Sequence, residues 1–277
     1  MVWLRRRGPT ISHLHLSERG SFVREGGLAA LAAALGNPVV QSMHGADLPE
    51  FIGDHPRLVR AVLHTADVVI ALGPRTADLV SDVAPDVRVE IVPNPVELPE
   101  EIRPMPEGPP MAVFAGDVGL RKGADVLVEA WRKVYRKLPG AQLVIAGRPD
   151  DVAIDELPGL RLLGPVSRAQ VGDLLERATL AVLPSRREVM PMFLLEAMAR
   201  GRTVVSTPVG DVEDLVGDAG VIVPAANPTA LADALVDLLS DPEECERRGL
   251  TGRRRVEGRF SPAAVAQRLE TVYASVG

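Results

Sequence analysis

Two carboxylates, Glu188 and Glu196, stand with seven residues between them in the stretch Pro184-Ser185-Arg186-Arg187-Glu188-Val189-Met190-Pro191-Met192-Phe193-Leu194-Leu195-Glu196-Ala197-Met198-Ala199-Arg200-Gly201. That stretch follows the apolar run Leu180–Leu183 and stops before Thr203-Val204-Val205, so it must turn from a buried strand into a helix. Such a turn leaves backbone N–H groups unbonded and sets the positive end of the helix dipole at the carboxyl edge of a sheet, a natural diphosphate site. Neither acid can neutralise a phosphate, so each is read as a partner for a sugar or ribose hydroxyl. Taken alone, a pair at this spacing favours the bland reading, with Glu196 an ordinary first-turn helix acid and Glu188 a loop charge.

A second strand-to-helix turn runs Phe114-Ala115-Gly116-Asp117-Val118-Gly119-Leu120-Arg121-Lys122-Gly123. Lys122 sits where the helix begins and can aim at a departing diphosphate; the bland alternative is a solvated lysine. His44 ends the run Pro38–Met43 and precedes Gly45. It either faces a ligand or bonds a neighbouring carbonyl. His13 and His15 are two apart on a strand and share a face. With His44 they form a nominal metal triad, but no clear carboxylate or cysteine completes the set, and packing or hydrogen bonding is the reading taken. No G-x-G-x-x-G follows any strand, which disfavours a dinucleotide oxidoreductase.

Embedded in P-S-x-x-E…L-E-A-M-A-x-G, the acid pair resembles the E-x7-E signature of the retaining glycosyltransferases of family 4. The resemblance runs from about Thr10 to the C-terminus and is strongest from Ala115 to Pro224. It implies the GT-B fold: α/β, two Rossmann-like domains facing a cleft. It implies a nucleoside-diphosphate sugar of the UDP or GDP type as donor, no cofactor and no metal. On this likeness Glu188 contacts donor-sugar hydroxyls and Glu196 the ribose. Met190, Pro191, Met192 and Phe193 offer backbone amides to the sugar and diphosphate. Gly116, Arg121 and Lys122 border the diphosphate, Val166 lies in the loop beside the base, and His44 faces the sugar. His44, Lys122 and Glu188 are the implied catalytic set. The acceptor hydroxyl, on a glycan, lipid-linked or small molecule, would attack from the face the leaving group occupies, with a phosphate oxygen taking its proton. The work is then positioning and charge stabilisation. Two departures stand out. Asp117 occupies the position where the family pattern has arginine, so that either Arg121 compensates or the site is impaired; Pro95 occupies a position where glycine is usual.

These residues need elements to hold them. Short β-branched runs alternate with helical patterns, which predicts parallel sheets covered by helices. Predicted strands are Thr10–Leu16, Pro38–Met43, Asp67–Leu72 and Arg88–Val92, then Met111–Ala115, Gln142–Ala146, Leu160–Leu163, Leu180–Leu183, Thr203–Ser206 and Val221–Val223. A helix after Gly123 carries Val126, Leu127, Ala130, Trp131, Val134 and Leu138 at three- and four-residue spacing. Asn227 before Pro228 caps another, and Ser261-Pro262 opens a last one. Residues 94–110, rich in proline, read as a stiff linker. The predicted division is 1–93, an incomplete acceptor domain; 94–110; 111–260, the nucleotide-sugar-binding domain; and 261–277, a helix crossing back to the first domain. Four strands against the six of a full Rossmann half lead to the expectation of a truncated first domain. They also keep open a weak or inactive nucleotide-sugar-binding protein, or one half of a split transferase completed by a partner chain. A sugar-nucleotide epimerase of like architecture rests on His44 alone.

Across 277 residues, 46% hydrophobic and 25% charged content is that of a globular chain, and a net charge of -6 argues against nucleic-acid partners. The single cysteine, Cys245, fits a reducing compartment and, beside Glu243, Glu244 and Glu246, is read as a surface residue. Arginine runs at Arg5–Arg7, Arg247–Arg248 and Arg253–Arg255 are read as solvated faces, with peripheral attraction to an anionic membrane as the minor alternative. The expected location is the cytoplasm, with peripheral contact at the inner face of the membrane as that alternative.

Overall fold

The protein is described by a computed structural model covering residues 10–277. The run Arg5–Arg7 lies outside the described residues. The chain forms two units: the residues up to Asn94 together with Ala263–Gly277, and Pro95–Pro262.

In the first unit β1 (Ser12–Leu16), β2 (Val39–Met43), β3 (Val68–Ala71) and β4 (Val89–Ile91) pair in parallel and in sequence order. Between them run α1 (Gly20–Ala34), α2 (Leu48–Asp54), α3 (Pro56–Leu63) and α4 (Pro74–Val83). Because successive strand residues point to opposite faces, β2 and β3 serve two cores at once. Met43 and Val69 join Phe22, Leu48 and Val59 on one side. Val40, Val68 and Ile70 meet Val265 and Val272 of the terminal helix Pro262–Ala274 on the other.

The second unit holds β5 (Met111–Ala115), α5 (Ala124–Lys137), β6 (Gln142–Ala146), β7 (Leu160–Gly164), α6 (Arg168–Arg177), β8 (Leu180–Leu183), α7 (Met192–Ala199), β9 (Thr203–Ser206), α8 (Val212–Val216), β10 (Gly220–Ile222), α9 (Pro228–Leu239) and α10 (Pro242–Arg259), after which the terminal helix is α11. The strands form one parallel sheet in the order β10-β9-β8-β5-β6-β7. The predicted apolar stripe of α5 is buried from Val126 to Val134, Trp131 completely, while Leu138 is the half-buried C-cap; each large buried side chain contributes roughly 1.5–3 kcal/mol. Asn227 caps α9 by accepting from the Ala230 amide.

Three expectations are corrected. Residues 95–110 do not stand apart as a linker; they belong to the second unit. Buried Arg202 explains why: it donates to the carbonyls of Arg103 and Pro104 on that segment and of Leu175 and Glu176 on α6. Cys245 is buried, donating its thiol to the Leu238 carbonyl, and burial pushes its pKa up to about 12. Its glutamate neighbours occupy other faces of α10, while Cys245, Gly249, Gly252 and Val256 share the inward one. Finally, the arginines of α10 are not all solvated. Arg253 donates to the carbonyls of Ala199 and Pro99, Arg255 to that of Leu215, and Arg248 to that of Gly220. Among the described residues no helix is long and apolar enough to cross a membrane.

Candidate functional site

The chain leaves β5 toward β6 and β7 on one side, then returns to lay β8 against the other side of β5. Where strand order reverses, the loops after the two central strands diverge and open a crevice at the carboxyl edge. Both stretches singled out in the sequence fall there: residues 116–123 follow β5 and residues 184–191 follow β8.

Glycine lets these loops approach. Gly123, at φ 72°, is the N-cap of α5, and a Cβ there would lie 2.0 Å from the Pro184 carbonyl oxygen. Gly210, at φ 54°, backs the second loop, where a Cβ would lie 2.1 Å from the Glu188 carbonyl oxygen. Hydrogen bonds finish the clamp. The Arg186 amide donates to the Arg121 carbonyl at 2.8 Å, the Asp211 amide to the Val189 carbonyl at 3.0 Å, and the Thr207 hydroxyl to the Ser185 carbonyl at 2.5 Å. Arg186 also grips Asp125 of α5 through two bonds of 2.7 Å, which holds the Asp125 carboxyl below its ordinary pKa.

A cavity of about 610 Å³ opens beside the first of these loops, at the ends of β5 and β6. Gly116, Asp117, Arg121 and Lys122 line one wall, Gly147 and Arg148 the end of β6, Val166 and Arg168 the loop after β7, and Phe193 and Glu196 the face of α7. Lys122 Nζ lies 2.5 Å from Glu188 Oε1, and the Ser185 hydroxyl donates to the same oxygen at 2.8 Å. That ion pair is well enclosed, with side chains 16% and 9% exposed. Glu196 is held by Arg168 at 2.8 Å. Asp117 is paired with Arg148 at 3.2 Å. Met190 and Phe193 bury their side chains, which anchors the backbone through Pro191 to the start of α7 at Met192.

Of the residues predicted from sequence, Gly116, Arg121, Lys122, Val166, Phe193 and Glu196 thus line one cavity, and Glu188 reaches it through Lys122. Sequence reading missed Arg148 and Arg168. Their only signals were places just past a strand-ending Gly147 and just inside a helix opened by the Ser167 capping box.

His44 belongs to the first unit. Its Nε2 lies 3.0 Å from His15 Nδ1, while His13 meets the Tyr273 hydroxyl at 2.7 Å and the Ser42 hydroxyl at 2.8 Å. Among the described residues no group of three or more His, Cys, Asp or Glu is arranged to hold a metal ion. Burial first, then the neighbouring His15 and His44, push the His13 pKa from its ordinary 6.5 down to about 4. The unfolded chain therefore takes up this proton near pH 6.5 and the folded chain only near 4, so the stability it carries is whole above pH 6.5 and lost as pH falls through that window. The melting temperature should decline between those pH values, and His13→Gln should flatten the decline. Identical pH profiles for the two proteins would refute the assignment.

A parallel α/β unit with its cavity at the reversal of strand order is the architecture of a Rossmann-like ligand-binding domain. Residues 109–241 match the family described as "Glycosyl transferases group 1", and residues 2–100 match "Glycosyltransferase Family 4". Similar sequences include the alpha-D-kanosaminyltransferase of Streptomyces kanamyceticus, 30% identical over 61% of this chain and 46% of that protein. The D-inositol 3-phosphate glycosyltransferase 1 of Catenulispora acidiphila is 30% identical over 77% of this chain and 61% of its own. The chain thus spans roughly half to two thirds of the curated relatives it matches; for the alpha-maltose-1-phosphate synthase of Mycolicibacterium smegmatis, 30% identical, the shares are 78% and 65%. Among solved structures, a sucrose-phosphate synthase from Thermosynechococcus elongatus superposes with a TM-score of 0.82 at 21% identity, covering 99% of this chain and 75% of that one. The Anabaena protein HepE, in complex with UDP, gives 0.79 at 16% identity over 95% and 79%. The chain belongs to the family-4-like glycosyltransferases of the GT-B fold.

Proposed function

We propose that this chain binds a nucleoside-diphosphate sugar in the second unit and transfers the sugar, with retention at the anomeric carbon, to an acceptor hydroxyl. The observation that carries the reading is the cavity itself: its lining holds an acid, Glu196, for a ribose, and Lys122, paired with Glu188, for a diphosphate and sugar. Lys122 and Ser185 both bond Glu188 at Oε1, so Oε2 is the oxygen a sugar hydroxyl would meet. Arg168 aims Glu196, and the first turn of α7 supplies backbone N–H groups and the positive dipole end.

In the proposed step the bond from the anomeric carbon to the diphosphate oxygen breaks as the acceptor oxygen bonds to that carbon. The acceptor proton passes to a phosphate oxygen. Lys122 offsets the negative charge that grows on the leaving group, and protein cations rather than a metal carry this load. UDP is the donor nucleotide we favour, since HepE was solved with UDP and with UDP-glucose; the acceptor is a glycan or another polyhydroxylated molecule. A reducing compartment suits the single cysteine.

The test is calorimetric titration with UDP, GDP and ADP. One of them should bind, and Glu196→Ala should weaken that binding about tenfold through loss of a charged acceptor to the ribose hydroxyls. If none of the three binds, or the variant binds as the wild type does, the reading fails. A chain that binds but releases no sugar would be a binding protein instead.

A further inference from the structure

Asp117 sets an anion on the wall of a cavity proposed to hold a diphosphate, where the resemblance leads one to expect arginine. The backbone shows where the cation went. Just past the ends of β5 and β6 the two chains stay paired, with Val118 opposite Pro149 in a parallel bridge. The Val118 amide donates to the Arg148 carbonyl at 2.7 Å and the Asp150 amide to the Val118 carbonyl at 3.1 Å. Behind them the Gly116 amide donates to Ala146 at 3.0 Å and the Gly147 amide to Gly164 at 2.8 Å. Positions 117 and 148 therefore sit side by side on neighbouring extended segments, and both line the cavity together with Lys122. Arg148 Nε and Nη2 lie 3.3 and 3.2 Å from Asp117 Oδ1.

We propose that Arg148 supplies the second diphosphate-binding cation, displaced by one strand from position 117, and that Asp117 is its positioning partner. The proposal rests on the nucleotide-sugar reading above and deepens it. A guanidinium has five N–H donors in a rigid fork; two face Asp117, and three remain for phosphate oxygens. The Arg148 side chain is 73% exposed, so it is not committed to the core and can turn to a ligand while staying tethered. Lys122 then meets the diphosphate from the α5 side and Arg148 from the β6 side, and the charge lost at Asp117 is restored within one residue's reach.

The experiment titrates the wild type, Arg148→Ala, Glu196→Ala and the exchange Asp117→Arg/Arg148→Asp with UDP, GDP and ADP and with the corresponding nucleosides. Arg148→Ala should lose about tenfold or more in affinity for the diphosphate that the wild type binds best, and less than about threefold for its nucleoside. The exchanged protein should recover to within about threefold of the wild type, because the same cation then reaches the same space from the next strand. Undiminished diphosphate binding by Arg148→Ala overturns the proposal. So does an equal loss for diphosphate and nucleoside, which marks a merely structural role, and so does an exchange that stays as weak as the alanine variant. If Glu196→Ala weakens binding while Arg148→Ala does not, this proposal alone falls. If the wild type binds none of the three diphosphates, the functional reading falls with it.

Discussion

Lys122→Ala is expected to slow release of nucleoside diphosphate from a sugar donor by about 100- to 1000-fold, the loss typical of removing one preorganised group that stabilises charge growing in the transition state. Nζ sits in the cavity wall where the leaving group would develop its charge, and it is also the cation 2.5 Å from the enclosed Glu188. Removing it strips the leaving group of its counter-charge and leaves an acid buried without one, which costs stability as well. Lys122→Arg separates the effects, since it keeps the charge beside Glu188 but cannot place a compact ammonium at the same point. It should melt close to the wild type and still turn over at least tenfold more slowly. Rates and melting curves together check this; a loss below tenfold in Lys122→Ala would remove Lys122 from the chemistry.

A comparable loss is expected from one methyl group at Gly123. A Cβ there would press to 2.0 Å on the Pro184 carbonyl oxygen, and φ of 72° is strained for any L side chain. The contact is backbone to backbone, so no side chain can swing aside. Either the loop after β5 or the loop after β8 must move, and the two carry Lys122 and Glu188. Gly123→Ala should destabilise the second unit by about 3 kcal/mol or more, lowering its melting temperature by roughly 6–12 °C, and should abolish nucleotide binding at the concentrations that saturate the wild type. Gly140→Ala is the control, since its Cβ would meet nothing within 4 Å. If Gly123→Ala melts within about 2 °C of the wild type, these loops are softer than their geometry states.

Much of this was legible in the chain because parallel strands buried on both faces are written as short apolar runs. Each of the ten predicted strands has a counterpart, most within one or two residues, and Asn227 and Pro262 start helices where their types require. The core of the site was legible for a related reason. A turn from a strand into a helix is local in sequence, so Lys122, Glu188 and Glu196 announce themselves beside the strands that carry them. Hidden from sequence were relations between distant segments. Nothing near Arg148 says that it faces Asp117, and nothing near Arg202 says that it ties down residues 103 and 104. The burial of Cys245 is set by its neighbours along the helix face, Gly249, Gly252 and Val256, and not by the glutamates beside it in the chain. A basic run looks solvated in sequence, because the carbonyls of Ala199, Pro99 and Leu215 that receive the α10 arginines lie far from it along the chain.

The way the terminal helix is shared has a consequence for synthesis. Val265 and Val272 complete an apolar face whose other members, Val40, Val68, Ile70 and Val92, are made first. A nascent chain therefore carries that face uncovered while about 170 further residues are translated, at roughly 5–20 residues per second. The unit that begins first on the ribosome is the one that closes last, and for that interval of some ten to thirty seconds its unfinished sheet is exposed to aggregation and to chaperones.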